Sequence, residues 1–139
     1  MPRAELDESA LRAWGEAYGA MLRAPAVVAL SGDLGAGKTT LTQAIAAGLG
    51  VTEDVTSPTY ALVHEYGSAR GTVWHLDLYR LRDAGQLAQL GWDDILASGD
   101  VVLIEWPERA ADALPADARA LRLEHVQGRV DVRSLSWTD

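Results

Sequence analysis

The chain has 139 residues, 48% of them apolar, enough for one domain with a hydrophobic core. It has no cysteine, which excludes disulfides and thiolate metal sites, and no run of about 18 apolar residues of the kind that crosses a membrane. A formal net charge of −8 argues against strong nucleic-acid binding by this chain alone, because such binding needs clustered cations that release counterions. Met1 to Glu5 lacks the basic-then-apolar pattern of a secretory signal, so the expected compartment is the cytoplasm.

In chain order, Leu6 and Asp7 open a helix. Asp7 is the predicted N-cap, with Leu6 packing on Leu11 as a hydrophobic staple. Leu11, Trp14, Tyr18 and Leu22 recur at helical spacing, and Pro25 follows the helix end. Val27 to Leu30 is a short continuous apolar run, the mark of a strand buried on both faces. A glycine-rich loop follows, and then a helix from Lys38 with Leu41, Ile45 and Leu49 four apart, ending at Gly48 or Gly50. Ala61 to Tyr66 and Thr72 to Leu76 read as a hairpin, and Ala84 to Leu90 as a helix with Gly91 after it. Val101 to Ile104 is a second buried strand, broken by Pro107. Ala120 to Val126 and Val130 to Leu135 alternate around Gly128 as a closing antiparallel hairpin. The expected architecture is a single α/β domain over residues 1–139. It is three-layered (α/β/α) and P-loop NTPase-like, with a mixed sheet and antiparallel C-terminal strands.

The loop Gly32, Asp33, Leu34, Gly35, Ala36, Gly37, Lys38, Thr39 fits G-x-x-x-x-G-K-[ST] without a mismatch. The glycines allow dihedrals closed to other residues and let the backbone approach a phosphate. Successive N–H groups then form an anion nest, and the following helix adds its unpaired N–H groups and positive dipole end. Lys38 is predicted to reach the β- and γ-phosphates of ATP, and the Thr39 hydroxyl to bind Mg2+. Of twelve cationic residues eleven are arginine, and the single lysine is Lys38. That bias points to a site requiring a compact ammonium where a forked guanidinium does not serve.

Hydrolysis also needs a metal shell and an oriented water. Two carboxylates follow strands: Glu105 after Val101 to Ile104, and Asp77 after Thr72 to Leu76. Ligands of open α/β sheets lie outside the carboxyl ends of the strands, where both could face the phosphates. Glu105, after the stronger apolar run, is assigned to Mg2+ and Asp77 to the attacking water, although the roles can be exchanged. Asp77 also suits a cap of the turn Asp77 to Arg80. Thr59, in the Thr56 to Tyr60 loop, is a candidate γ-phosphate sensor or a plain Pro-Thr turn. Arg80 and Arg109 suit surface ion pairs better than charge stabilisation. His64, His75 and His125 lack metal-ligand spacing and read as structural. Trp106, beside Glu105, suits either core or site.

Leu30 to Thr40, Ser57-Pro58-Thr59-Tyr60, His75-Leu76-Asp77-Leu78-Tyr79-Arg80-Leu81 and Ile104-Glu105-Trp106-Pro107-Glu108 occur in that order. Together they resemble the bacterial TsaE (YjeE) family. The phosphate loop is shared by many families, whereas its combination with SPTY, HxDLYRL and EWP is specific. The resemblance implies an ATPase subunit that binds TsaD-like and TsaB-like proteins in making N6-threonylcarbamoyladenosine in tRNA. It implies Mg2+ at Thr39 and Glu105, a hydrolytic role for Asp77, and nucleotide contacts near Glu8 and Gly128, beside those along Asp33 to Thr40 that the loop motif itself predicts. A small-molecule kinase is the competing reading, but Arg80 to Arg82 is too short for an arginine-rich lid. A third is a nucleotide-gated binding module without turnover.

Overall fold

The structure, a computed structural model, describes residues 1–33, 35–55 and 62–138. Its centre is a seven-stranded sheet. The strands are β1 (Arg3–Asp7), β2 (Ala26–Gly32), β3 (Val63–Ser68), β4 (Gly71–Asp77), β5 (Val101–Glu105), β6 (Arg119–Val126) and β7 (Arg129–Trp137). Their spatial order is β1-β7-β6-β2-β5-β4-β3. The four central strands, β6, β2, β5 and β4, run parallel, while β7 and β3 join antiparallel on either side and β1 pairs antiparallel with β7. The sheet is therefore mixed, with an antiparallel C-terminal hairpin, as the sequence predicts.

Helices α1 (Glu8–Met21) and α2 (Lys38–Gly48) cover one face, where Leu11, Tyr18, Leu41, Ile45 and Leu49 pack on Val28, Leu30, Leu103 and Leu121. The short helices α3 (Gln86–Gln89) and α4 (Trp92–Leu96), with a 3-10 segment Pro107–Ala113, cover the other, against Leu76, Val102 and Ile104. This gives the expected three layers. Strand β5 is buried along its whole length, with Val101 and Leu103 serving one core and Val102 and Ile104 the other. Such two-sided burial explains its unbroken apolar run. Each of these side chains is worth about 1.5–3 kcal/mol of burial.

Three local features differ from the sequence reading. Leu6 and Asp7, expected to open a helix, belong with Arg3 to Glu5 to edge strand β1, whose exposure alternates residue by residue. Five residues without a β-branched or aromatic side chain give too short a signal to mark it. The helix predicted over Ala84 to Leu90 shrinks to Gln86–Gln89, and a second begins at Trp92 after Gly91, whose φ of 79° breaks the run. The β3–β4 hairpin closes tighter than predicted, with Ser68 opposite Gly71. The Arg70 guanidinium at its tip donates to the carbonyls of Gly19 (3.2 Å), Ala20 (3.3 Å) and Leu22, satisfying the C-terminal end of α1. Asp7 is the predicted N-cap, its Oδ1 accepting from the Ala10 N–H at 2.8 Å.

Helices α1 and α2 approach closely because glycines face the contact. A Cβ on Gly15 would lie 2.6 Å from the Ala44 Cβ, and one on Gly19 would overlap the Ile45 carbonyl. This packing seats α2 against α1, and the glycine-rich loop ends where α2 begins, at Lys38.

Candidate functional site

Strand β2 runs into the glycine-rich loop at its carboxyl end. Gly32 leaves the strand at φ 152°, and a Cβ there would come within 2.6 Å of the Leu123 carbonyl on neighbouring β6. Gly37, at φ 100°, is the N-cap of α2, whose side chain offers no cap, so the first N–H groups of the helix have no side-chain partner from that position. Asp33, Gly35, Gly37, Lys38, Thr39 and Thr40 line a cavity of about 370 Å³ at this helix end. Leu34 and Thr59, both candidate contacts, lie outside the described residues, as does the Thr56 to Tyr60 loop.

Lys38 opens α2 and is only 6% exposed. Its ammonium donates to the Gly32 carbonyl and to the Asp33 carbonyl (3.1 Å), and sits 3.7 Å from the centroid of the Trp106 ring. The chain's one lysine is therefore held over its own loop by two carbonyls and an aromatic face. Burial pushes its pKa below the usual lysine value, against the opposing pull of the Glu105, Glu108, Asp77 and Asp33 carboxylates. Trp106, left open between core and site by the sequence, lines the cavity. It adopts φ 58°, ψ 51°, which turns the chain out of β5 and swings the indole over Lys38.

Strands β4 and β5 run parallel to β2, so their carboxyl ends share its edge of the sheet. Asp77 stands opposite Glu105, and Glu105 opposite Leu30. Both carboxylates line the cavity with Lys38 and Thr39. Glu105 is 2% exposed, its Oε2 2.6 Å from the Nε2 of His75, itself 1% exposed. Asp77 Oδ1 accepts from the Tyr79 N–H at 3.0 Å, so it caps the turn and lines the cavity at once. Burial raises the Asp77 pKa, Tyr79's N–H opposes the shift, and the nearby Glu105 charge adds to it.

A second cavity of about 640 Å³ adjoins the first along Gly35, Gly37 and Thr40, and is also lined by Ala36, Asp7, Glu8, Ser9, Val130 and Arg133. Glu8, placed at the start of α1, reaches this side of the loop. Gly128 stays in the β6–β7 turn at φ 79° and lines neither cavity. Arg133, which the sequence reading did not single out, donates to the Gly35 carbonyl at 3.3 Å and ties β7 to the loop. Arg80 lines neither cavity, and Arg109 lies 5.6 Å from the Tyr79 ring, which in turn packs 4.9 Å from Trp106.

The donor set suits a hard cation. Thr39 offers a hydroxyl and Glu105 and Asp77 offer carboxylates, all oxygen, while the His75 imidazole is bound to Glu105. Among the described residues no group of three or more acidic, histidine or cysteine side chains forms a self-sufficient metal cage.

A buried parallel strand, a glycine-rich turn onto a helix N-terminus carrying lysine and threonine, and carboxylates ending the neighbouring strands define a P-loop NTPase-like protein. Residues 6–134 match the family described as threonylcarbamoyl adenosine biosynthesis protein TsaE, and the chain belongs to that family. Relatives named tRNA threonylcarbamoyladenosine biosynthesis protein TsaE include one from Haemophilus influenzae, 38% identical over 81% of this chain and 72% of its own. One from Mycobacterium leprae is 44% identical over 90% of this chain and 82% of its own. Another, from Nostoc sp., is 45% identical over 68% of this chain, and the match spans 60% of that relative's length. The fold also matches the crystal structure of Bacillus subtilis YdiB, at 27% identity and a TM-score of 0.79, over 98% of this chain and 84% of that one.

His75, expected to be structural for want of metal-ligand spacing, stands against Glu105 at the site. The overlooked signal was its period-two spacing from Asp77, which puts both on one face of β4 beside Glu105.

Proposed function

We propose that this protein binds ATP with Mg2+ and hydrolyses it in support of the threonylcarbamoylation of tRNA adenosine, as the names of its relatives suggest. The observation that carries the reading is the shared cavity. The single lysine, the loop backbone, the Thr39 hydroxyl and the Glu105 and Asp77 carboxylates all line it. ATP's terminal phosphates would take the N–H groups of Gly35 to Thr40, with the ammonium of Lys38 exchanging its loop carbonyls for phosphate oxygens. Thr39 and Glu105 would hold Mg2+, which supplies charge neutralisation at the phosphates when bound. Asp77 positions the attacking water and accepts its proton. The second cavity, beside Glu8 and Arg133, has room for the nucleoside.

The acidic surface implied by a net charge of −8 favours docking on protein partners over gripping tRNA alone. Those partners are TsaD-like and TsaB-like proteins, and the compartment is the cytoplasm. Phosphate release by the purified chain, with and without a TsaD–TsaB-like pair, tests this. We expect slow release alone and a clear increase with the pair. A rate that the pair leaves unchanged would remove the partner assignment, and no nucleotide binding at all would remove the ATPase.

A further inference from the structure

We propose that His75 is a positioning residue that fixes the Glu105 carboxylate for the metal, an inference resting on the reading of Glu105 as the magnesium-side carboxylate. Asp77 pairs with Glu105 and His75 with Leu103 across the parallel strands β4 and β5. His75 is thus the same-face diagonal neighbour of Glu105, one step further from the cavity. Its Nε2 lies 2.6 Å from Glu105 Oε2, and both side chains are all but sealed from solvent.

The tautomer follows from the surroundings. The His75 Nδ1 is buried and has no hydrogen-bond partner among the described residues. A proton there would be an unsatisfied donor, whereas a bare lone pair costs less, and the Nε2 contact to a carboxylate needs a hydrogen between the atoms. His75 therefore donates Nε2–H to Oε2. One carboxylate oxygen is engaged by that bond, and the other is left for the cavity. The ring cannot easily swing away. It packs against Tyr66 (centroids 6.2 Å apart, 30° between planes) and edge-on against His64 (6.4 Å), and His64 Nδ1 is itself bonded to the Tyr66 hydroxyl at 3.0 Å. Packing on β3 and β4 thereby locks the donor, and the donor locks the acid. Among the described residues no imidazole lines the cavity, and His75 stands behind Glu105 rather than on the metal's side.

The test compares His75→Leu, which keeps bulk but removes the donor, with His75→Gln, whose side-chain amide reaches about as far as Nε2, and with Glu105→Gln. The readout is the Mg2+ concentration that half-saturates binding of a fluorescent N-methylanthraniloyl-ADP, checked by Mn2+ paramagnetic resonance. We expect His75→Leu to raise that concentration about 10–100-fold, with His75→Gln recovering most of the loss and metal-free nucleotide affinity unchanged. If Glu105→Gln shifts the metal dependence but His75→Leu does not, or if Leu and Gln shift it alike, the positioning role is wrong. If Glu105→Gln itself shifts nothing, the magnesium reading of Glu105 fails first and takes this inference with it. Should His75→Leu not fold, imidazole nitrogen resonances of the unaltered protein decide. A proton on the His75 Nε2 supports the role, and a neutral ring protonated only at Nδ1 overturns it.

Discussion

Replacing Gly32 by alanine tests whether the loop's geometry is set by the sheet. The added Cβ would lie 2.6 Å from the Leu123 carbonyl, while ordinary contact begins at 3.4 Å. Gly32 and Leu123 are paired across β2 and β6, so the strands must part locally by about 0.8 Å, or the loop must lift. Overpacking of this kind costs about 1–3 kcal/mol, and forcing a side chain onto φ 152° costs a similar amount. Partial relaxation should hold the total to about 2–4 kcal/mol, or about 6–12 °C in melting temperature for a domain of this length. The same relaxation moves a carbonyl that Lys38 now uses and the start of the anion nest, so nucleotide affinity should fall about tenfold or more, equivalent to at least 1.4 kcal/mol. Thermal unfolding and titration with a fluorescent nucleotide measure the two effects. A variant that melts within about 2 °C of the unaltered protein and binds nucleotide equally well would refute the claim that Gly32 is needed for close approach.

Lys38→Met should weaken ATP binding about 10–100-fold by calorimetry, the loss of charge-assisted bonds to phosphate. Because burial depresses the Lys38 pKa in the fold, the unfolded chain holds that proton more tightly. Stability without nucleotide should therefore rise with pH from the lowered pKa up to the usual lysine value, and denaturant titrations of Lys38→Met should lack that rise. Asp77→Asn keeps the turn acceptor, so it should retain ATP while phosphate release slows by about 10²–10⁴-fold. The raised Asp77 pKa also predicts that activity falls off on acidification at a higher pH than an ordinary aspartate would give, which a pH–rate profile reads directly. Asp7→Ala removes the cap on α1 and should cost about 1 kcal/mol, visible as a lower melting temperature.

The parts legible in the sequence were those where a local rule agrees with the tertiary outcome. The apolar runs Val27 to Leu30 and Val101 to Ile104 became the central parallel strands because both their faces are covered. The glycine-lysine-threonine spacing could be placed because it sits between one of those strands and a helix. What stayed hidden depended on pairing across the chain. Strand β1 exists only because β7 offers it an edge, and nothing in Arg3–Asp7 alone demands it. The place of Trp106 over Lys38 and of His75 behind Glu105 follows from strand order and register, which bring residues thirty or more positions apart to one sheet edge. Gly128 is placed near the nucleotide by resemblance alone, and the hairpin turn it occupies accounts for its positive φ.

The central claim is that Gly35 to Thr40 and Lys38 hold a nucleotide's terminal phosphates beside Glu105. The most direct measurement is a crystal structure of the protein with ADP and Mg2+. It should show the β-phosphate against the loop N–H groups, the Lys38 ammonium moved from the Gly32 and Asp33 carbonyls onto phosphate oxygen, and the metal between Thr39 and Glu105. A cavity that stays empty at saturating nucleotide, or ADP bound elsewhere with Lys38 still on its loop carbonyls, would contradict it.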